Sequence, residues 1–563
     1  MGIACYAPTV RAQEPNNKFG IHLAGVSNQD LEDAAALVNS NGGDWGYVTI
    51  VIQENDRDVN KWQAVFDKMR ELHLVPIMRL ATSFQDGSWK RARVDQTTDW
   101  VNFLDSLNWV VKNRYVILFN EPNQGAEWGG GVDPVGFGKV VEEFAKALKE
   151  NSPDYFVMLA GLDAAAPNQF PQYADEEVFL KQMVTGNGGA ETFFENIDGW
   201  ATHSYPNYGF VSSPYATGRP SVRTYVWELG LLGRLGVKKE LPVFVTETGW
   251  PHAEGVTNKY GYFTENKVAQ NFVAYFKQMV SDQRVVAVTP FVLNYQSELF
   301  EHFSWRIPEK LGSQRRFYQQ YEIVQQMAKT AGLPEQRQEA EIGVSLPEKV
   351  LANSTYQFPI QIKNKGQAVW SLEDGYKLKA TANDEADVWA SDFSKLLPGQ
   401  EEQMWLYLKT KDQEGVLSIE LQITRNDRPV EQEDHFQVTI LPRVNIDFEE
   451  SLFPKGKVTA EGFKFVIFDE QERPIYQKDG IRLKGGEGKV EDINNLVVGK
   501  EYRLVLLKQG YIPRQARLKV NDQENRIVFE PMVPFDIDED GKFTVKDGWS
   551  CLRNFEECKS YWF

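Results

Sequence analysis

Residues 116–151 read VILFNEPNQGAEWGGGVDPVGFGKVVEEFAKALKEN and contain two different patterns. The apolar run Val116–Asn120 has the composition of a strand that is buried on both faces of a parallel sheet. A polar, glycine-rich stretch separates this run from Asp133–Asn151, which carries apolar residues at helical spacing. These residues therefore predict one strand–loop–helix unit.

The same unit recurs from Phe19 to about Gly332. The predicted strands are Phe19–Leu23, Trp45–Ile52, Leu74–Ala81, Val116–Asn120, Phe156–Gly161, Gly199–Tyr205, Pro242–Glu247 and Val286–Asn294. Eight such units are typical of a (β/α)8 TIM barrel, which is an α/β fold. A doubly wound open sheet is the alternative. It would be favoured by a glycine-rich phosphate loop after the first strand, and residues 23–26 (LAGV) are not one.

Beyond Gly332 the pattern changes to short alternating segments. Residues 333–341 are polar and have the composition of a linker. The alternating segments that follow are typical of β-sandwiches, and the first sandwich resembles an immunoglobulin-type fold. The predicted boundaries are a leader remnant at 1–17, the barrel at 18–335, one sandwich at 336–442, a second sandwich at 443–531 and a calcium-loop tail at 532–563.

The charge of the chain narrows its partners. It has 61 Lys and Arg residues against 79 Asp and Glu residues, which gives a formal net charge of −18. A surface of that sign repels phosphate backbones and anionic lipids, so no nucleic-acid partner is predicted. No run approaches the roughly 18–20 apolar residues of a membrane-spanning helix, so no span is predicted. Aromatic residues make up 13% of the chain, which fits sugar-binding clefts and large β-rich cores equally well.

The N-terminal residues and the cysteines bear on localisation. Residues 10–12 (VRA) are similar to the small-residue end of a secretory signal, although the apolar stretch that should precede them is missing. We therefore expect residues 1–17 to be a leader remnant and the protein to be secreted or at the cell surface. Cys551 and Cys558 could pair in an exported protein, but a regular helix would hold them too far apart, and two free thiols are the alternative.

Two glutamates stand at the ends of predicted strands. Glu121 follows the fourth strand and Glu247 ends the seventh. In a closed barrel the carboxyl ends of the strands converge on one mouth, where such folds carry out chemistry. Two carboxylates there can divide glycosidic bond cleavage between a proton donor and a nucleophile, because like charges push their pKa values apart. A single glutamate in such a place would more often be a solvated loop residue, and it is the pair that favours catalysis.

The two segments that hold these glutamates resemble those of known enzymes. Residues Phe119–Asn123 are similar to the Asn-Glu-Pro signature of glycoside hydrolase families 5 and 39, and Thr246–Pro251 is similar to the Glu-Thr-Gly-Trp-Pro segment of the family 17 β-1,3-glucanases. The barrel thus resembles glycoside hydrolase clan A. This resemblance implies a retaining β-glycoside hydrolase that acts on a glucan-like polysaccharide or oligosaccharide without a cofactor. A transglycosylase using the same carboxylates and a non-catalytic carbohydrate-binding or adhesion protein are the alternatives.

The resemblance also implies roles for individual residues. By position, Glu121 would be the acid/base, Glu247 the nucleophile, and Asn120 a ligand of the sugar 2-hydroxyl. His203 and Tyr205 match the clan's His-x-Tyr, in which the tyrosine orients the nucleophile and the histidine contacts the acid/base or the substrate.

Other residues of the predicted mouth follow from their chemistry. Arg79, at the end of the third strand, would lower the pKa of Glu247. The candidates for sugar stacking are Trp89, Trp128, Trp250 and Trp305. Clan members commonly place a tryptophan at the end of strand 8, and Pro290–Tyr295 lacks one, so Trp305 or Phe291 is expected to replace it.

Residues 536–547 predict a calcium loop. Oxygen-bearing positions surround a glycine turn at Gly541, and the predicted ligand positions are Asp536, Asp538, Asp540, Lys542, Thr544 and Asp547. The loop resembles one half of a dockerin, which implies a structural calcium remote from catalysis and a cohesin-like or cell-surface partner. An acidic solvated turn is the alternative.

Overall fold

The computed structural model describes residues 15–430 and 434–560, so most of the predicted leader, residues 1–17, lies outside the described residues. The chain forms two compact units. The first ends at Arg337 and also takes in Gln367–Val369, and the second comprises Gln338–Gly366 and the chain from Trp370 onward. Both predicted sandwiches therefore belong to one unit.

The first unit is built on parallel strands that lie where the apolar runs predict them. They are β1 Gly20–His22, β2 Gly46–Gln53, β3 Leu74–Ala81, β4 Arg114–Leu118, β5 Tyr155–Leu159, β6 Trp200–His203, β7 Val243–Glu247 and β8 Val285–Val288. Strands β1 to β5 pair in sequence order, as do β6 to β8. Parallel bridges between Met158 and Gly199 and between Phe19 and Val288 join the edges of these two sheets. An open sheet would leave those edges unjoined, so each strand here has a neighbour on both sides.

Helices alternate with the strands, which confirms the α/β class. They are α1 Asn28–Val38, α2 Val59–Glu71, α3 Thr97–Asp105, α4 Pro134–Asn151, α5 Glu176–Gly186, α6 Ala190–Phe193, α7 Thr224–Arg234, α8 Glu265–Ser281 and α9 Gln319–Gln325. In α4, the Asp133 side chain accepts a hydrogen bond from the Gly136 amide and caps the helix. Its buried face includes Phe137 and Phe144, and each such side chain contributes about 1.5–3 kcal/mol on burial.

The end of the strand ring opposite the carboxyl ends is filled by aromatic side chains. Tyr115, Phe156 and Phe244 stand at the starts of their strands, and the centroid of Phe244 lies 5.3 Å from that of Tyr115 and 5.5 Å from that of Phe156. Tyr47 packs against the same phenylalanine at 6.4 Å. This cluster is part of the continuous hydrophobic core of the unit, so the interior is packed and not a pore.

The second unit is formed by antiparallel-rich sheets. Its longer strands are β9 Ala340–Val344, β10 Lys349–Leu351, β11 Thr355–Asn364, β12 Tyr376–Ala382, β13 Ala386–Ala390, β14 Glu401–Thr410, β15 Gly415–Arg425, β16 Asp434–Leu441, β17 Val444–Glu449, β18 Ala460–Phe468, β19 Pro474–Leu483, β20 Glu487–Ile493, β21 Glu501–Lys508, β22 Gly510–Lys519, β23 Arg526–Val528 and β24 Pro534–Asp536. Leu351 packs into the core of the later strands, and the Tyr356 hydroxyl donates to the Leu496 carbonyl at 2.8 Å. The two predicted sandwiches are thus joined by buried contacts.

The C-terminal segment contains two short helices, α10 Val545–Arg553 and α11 Phe555–Ser560. The break at Asn554 brings Cys551 and Cys558 together, and the two form a disulfide with their Cα atoms 5.5 Å apart. A regular helix would have kept them apart, so the break removes that objection to their pairing. Among the described helices, none has both the length and the apolarity needed to cross a bilayer.

Candidate active site

The carboxyl ends of the strands in the first unit surround a cavity of about 370 Å³. Glu247 is the last residue of β7, and Glu121 follows β4 in the next loop. Both glutamates line this cavity, together with Arg79, Asn120 and Tyr205. The structure therefore brings together the residues that strand order assigned to one mouth.

Glu247 is held by groups that favour its ionised form. Its Oε1 accepts a hydrogen bond from Arg79 Nη1 at 2.6 Å, and its Oε2 accepts one from the Tyr205 hydroxyl at 3.1 Å. Burial on its own would raise the pKa of this carboxyl, but the positive charges of His203 and Arg79 outweigh burial and lower the pKa to about 2. Glu247 is consequently a carboxylate at neutral pH.

Glu121 has the opposite electrostatic character. Burial raises its pKa to about 7, and the negative charge of Glu247 acts in the same direction. His203 Nδ1 lies 2.7 Å from its Oε1, and Gln124 Nε2 donates to its Oε2 at 2.8 Å. Because its pKa is close to neutrality, Glu121 can both release and accept a proton.

The two carboxylates are close enough to act on one sugar carbon and its leaving oxygen. One ligand atom each of Glu121, His203 and Glu247 lies within 4.8 Å of the other two. Carboxyl groups about 5–5.5 Å apart are typical of retaining glycosidases, and inverting enzymes need roughly 6.5–9.5 Å to admit a water. The spacing therefore favours retention.

The same three residues could in principle ligate a cation. The lone pairs of Glu247 are already committed to the Arg79 guanidinium and the Tyr205 hydroxyl. The pKa of His203 is raised, because the charges of Glu247 and Glu121 outweigh its burial, and a protonated imidazole does not bind metal. The arrangement suits proton transfer better than metal binding.

The backbone around Glu121 adopts an uncommon conformation. Glu121 has φ of 29° and Phe119 has φ of 72°, both in the left-handed region that non-glycine residues seldom occupy. The Glu121 amide donates to the Gly161 carbonyl at 3.1 Å, which links the loops after β4 and β5. A Cβ at Gly161 would lie 2.2 Å from Cδ2 of His203, so only glycine lets the imidazole reach Glu121.

Asn120 lies between two charged side chains. Its Oδ1 accepts a hydrogen bond from Arg79 Nη1 at 2.5 Å, and its Nδ2 donates to Oε2 of Glu127 at 3.1 Å. The donor on one side and the acceptor on the other fix which way the amide faces. Arg79 thereby connects Asn120 to Glu247.

The four candidate tryptophans have different surroundings. Trp89 is partly exposed on a short hairpin after β3 and lines the cavity. Trp128 also lines it but is only 2% exposed, because it packs against Phe119 and Phe137. Its loop is therefore anchored to the core.

Trp250 and Trp305 do not lie at the mouth, so their predicted role in sugar stacking is wrong for this structure. Each is 1% exposed, and both pack against Phe272 of α8, with ring centroids at 5.3 and 4.8 Å. Rings buried in this way offer no free face to a sugar. Phe291, the other expected replacement for the strand 8 tryptophan, does line the cavity.

Several cavity residues were missed by sequence reasoning. They are Lys90, Gln124, Glu127, Asp163, Phe210, Phe300 and Phe303. Most of them lie in loops whose course is not encoded by local spacing. Glu127 had a usable signal, since it is a second acidic residue in the loop that follows Asn120 and Glu121.

His22 was also missed, although it ends β1 as a polar residue in an apolar run. It is 2% exposed, and its Nε2 lies 3.8 Å from Oε1 of Glu247. Burial lowers its pKa to about 3, so its imidazole is neutral at neutral pH. It therefore adds no positive charge beneath the carboxylate at that pH.

The predicted calcium loop contains a compact acidic group. One carboxylate oxygen each from Asp536, Asp538 and Asp540 lies within 4.8 Å of the others. Asp536 is 2% exposed, and its buried Oδ1 has no hydrogen-bond partner among the described residues. An orphaned buried carboxylate oxygen beside two further carboxylates fits a hard cation such as Ca²⁺.

The other predicted ligand positions have different surroundings. Asp547 accepts hydrogen bonds from the amides of Ile537, Asp538 and Thr544 and from the Thr544 hydroxyl. It thus closes the capping box at the start of α10, and its oxygens are occupied. The Lys542 amide donates to Oδ1 of Asp540 at 2.9 Å, which tightens the turn.

No protein-family model matches the chain, and no curated protein matches it. Solved structures do match parts of it. A structure of two fungal β-1,4-galactanases is 14% identical, with 55% of this chain and 94% of that chain covered and a TM-score of 0.36. A β-mannanase from Thermomonospora fusca is 14% identical over 52% of this chain and 83% of that chain, with a TM-score of 0.32. BcpA, the major pilin subunit of Bacillus cereus, is 13% identical over 36% of this chain and 71% of that chain, with a TM-score of 0.20. Matches at this level leave the chemistry to be inferred from the residues of the cavity.

Proposed function

We propose that the first unit is a (β/α)8-barrel retaining β-glycoside hydrolase, with Glu121 as acid/base and Glu247 as nucleophile. The observation that carries this proposal is the opposed character of two neighbouring carboxyl groups. Burial raises the pKa of Glu121 to about 7, whereas His203 and Arg79 outweigh burial and hold that of Glu247 at about 2. Both the proton donor and the ionised nucleophile are thus present between these values.

The reaction proceeds by double displacement. The Glu247 carboxylate attacks the anomeric carbon and forms a glycosyl ester, while the bond to the leaving oxygen breaks and that oxygen takes the Glu121 proton. Glu121, now ionised, removes a proton from an incoming water, whose oxygen attacks the anomeric carbon and releases Glu247. The sugar keeps its anomeric configuration, and Glu121 regains its proton for the next cycle.

The neighbouring residues support these two steps. Arg79 and Tyr205 hold the two oxygens of Glu247, which orients the nucleophile. His203 and Gln124 hold the two oxygens of Glu121, which aligns the acid. Asn120 would bind the 2-hydroxyl, a contact that strengthens at the transition state.

We further propose that the substrate is a β-linked, glucan-like polysaccharide or oligosaccharide and that the protein acts outside the cell. Trp89, Phe291 and Phe300 line the cavity and offer apolar ring faces to the C–H faces of sugars. The disulfide between Cys551 and Cys558 supports an oxidising compartment.

The first test is hydrolysis of a panel of β-glucans, β-mannan, β-galactan and 4-nitrophenyl β-glycosides, with product configuration followed by NMR. We expect the β-anomer to form first. Glu121→Gln and Glu247→Gln should each lose most turnover on natural substrates, and Glu143→Gln on the exposed face of α4 is the matched control. Activity like that of the wild type in either cavity variant would end the assignment, and binding without any hydrolysis would favour a carbohydrate-binding protein.

Azide separates the two roles. Azide should rescue Glu121→Ala on an activated aryl glycoside and give a β-glycosyl azide, because the glycosyl ester still forms on Glu247. In Glu247→Ala, azide should replace the missing nucleophile and give an α-glycosyl azide. Mass spectrometry of the products distinguishes hydrolysis from transfer to a second sugar.

We also propose that Asp536, Asp538 and Asp540 hold a structural Ca²⁺ that stabilises the C-terminal segment, with Lys542 contributing its carbonyl and Thr544 its place in the loop. Removal of calcium from the full chain with EGTA should lower the melting temperature of this segment and leave glycosidase activity unchanged. Tb³⁺ luminescence sensitised by Trp549 should report binding, and Asp538→Ala should abolish it, with Asp384→Ala as the control. An unchanged signal in Asp538→Ala would rule the site out.

A further inference from the structure

The cavity contains a third glutamate that the two-carboxylate mechanism does not use. Glu127 lies in the single helical turn Gly125–Glu127, in the loop after β4, and lines the cavity together with Glu121 and Glu247. A partly buried carboxyl group needs partners to offset its loss of hydration. Its contacts therefore show what the group is placed to do.

Only one oxygen of Glu127 is engaged by the protein. Oε2 accepts the hydrogen bond from Asn120 Nδ2, whereas Oε1 has no hydrogen-bond partner among the described residues. No Lys, Arg or His of the described chain lies within salt-bridge distance of this carboxyl group. Since Glu127 lines the cavity, Oε1 remains available to a group of the substrate.

The position of this oxygen next to the Asn120 amide matters for its ligand. Each hydroxyl of a sugar can donate one hydrogen bond and accept others. The Asn120 Nδ2 carries a second hydrogen besides the one that it gives to Glu127, and the two side chains lie 3.1 Å apart at this contact. One hydroxyl can therefore accept from Asn120 and donate to Glu127 at the same time.

The same contacts tie Glu127 to the nucleophile. Arg79 Nη1 donates both to Asn120 and to Glu247, so a continuous chain of hydrogen bonds runs from Glu127 to Glu247. A hydroxyl held by Asn120 and Glu127 therefore belongs to the sugar whose anomeric carbon faces Glu247.

We infer that Glu127 is a specificity-determining residue for the proposed glycosidase, accepting through Oε1 a hydrogen bond from the 2-hydroxyl of that sugar and fixing the orientation of the Asn120 amide. This inference rests on the proposed function. It selects substrates with a free 2-hydroxyl and disfavours those whose 2-position is deoxygenated or alkylated. A hydrogen bond to a charged group is worth about a ten- to hundredfold change in kcat/KM.

The test compares the 4-nitrophenyl β-hexoside that the wild-type enzyme cleaves best with its 2-deoxy and 3-deoxy analogues. The wild type should prefer the parent over the 2-deoxy analogue, and in Glu127→Gln that preference should shrink by about tenfold or more. The preference over the 3-deoxy analogue should stay as in the wild type. Using the ratio of substrates within one protein cancels any partial loss of folded enzyme, and Glu143→Gln should keep both ratios unchanged.

The outcomes separate the two proposals. If the wild type cleaves none of the glycosides or polysaccharides, the glycosidase assignment and this inference both fail. If the wild type is active but the 2-deoxy preference of Glu127→Gln equals that of the wild type, Glu127 does not contact the 2-hydroxyl and only this inference fails. An equal fall in kcat/KM for all three substrates would also overturn it, because Glu127 would then act only through Asn120.

Discussion

His203 Nδ1 lies 2.7 Å from Oε1 of Glu121, and the imidazole is buried. The same nitrogen is 3.8 Å from Oε2 of Glu247, so one ring faces both carboxylates. Its pKa is raised, because the two negative charges outweigh the effect of burial. A positively charged imidazole there stabilises the ionised nucleophile and keeps the acid in place, which couples the two groups that the reaction needs in different protonation states.

The pH profile of kcat/KM should be bell-shaped. Activity requires Glu247 ionised, so it falls as the pH drops through about 2, and it requires Glu121 protonated, so it falls as the pH rises through about 7. Initial rates across buffers of constant ionic strength give both limbs. On an aryl glycoside with a good leaving group, Glu121→Gln should lose the basic limb. A basic limb that persists unchanged in this variant would show that another group is the acid.

Replacing Arg79 should affect the acidic limb. In Arg79→Ala the positive charge beside Glu247 is gone, so the pKa of Glu247 rises and the acidic limb moves to higher pH. Loss of this charge-assisted hydrogen bond should lower kcat/KM by about ten- to hundredfold. Arg79→Lys should keep part of the charge and give a smaller shift. Profiles of the two variants that both match the wild type would contradict the role of Arg79.

Gly161→Ala should displace the imidazole from Glu121. The added Cβ would lie 2.2 Å from Cδ2 of His203, so the ring or the loop after β5 must move. Overpacking of this kind costs about 1–3 kcal/mol of unfolding free energy. We expect the pH profile to change along with the stability, measured by urea denaturation and initial rates. Gly233→Ala, where a Cβ meets nothing within 4 Å, is the control.

Trp89 and Trp250 should respond in opposite ways to truncation. Trp89→Ala removes an aromatic face that lines the cavity, so KM for polysaccharide should rise while the free energy of unfolding changes little. Trp250→Ala removes a buried ring that packs against Phe272 and Tyr275 and should destabilise the fold by about 3–5 kcal/mol. Kinetics and chemical denaturation of both variants check this contrast. A large loss of stability in Trp89→Ala would contradict its placement at the mouth.

The strands of the first unit could be predicted because parallel strands buried on both faces read as near-continuous apolar runs. Strand order then placed Glu121 and Glu247 at the same end of the ring, since each lies at a strand's carboxyl end. The residues Arg79, Asn120, His203 and Tyr205 were found for the same reason. Each lies within two residues of the end of its strand.

The course of the loops could not be predicted in this way. Trp250 follows β7 by three residues but turns into the core against α8, a direction that depends on contacts distant in sequence. Glu127 and Phe303 reach the cavity from irregular segments for the same reason. Asp547 stands at the expected twelfth position of its loop, yet its oxygens cap α10, because local amides compete with a metal for the same lone pairs.

The aromatic cluster around Phe244 has a consequence for traffic through the enzyme. With that end of the ring filled, reactants and products share a single doorway. The departing half of a cleaved chain must vacate the doorway before a water, or another sugar, can reach the ester on Glu247. How quickly that half leaves, relative to how readily a second sugar docks, would then decide whether the captured glycosyl group is surrendered to solvent or passed on to a new chain.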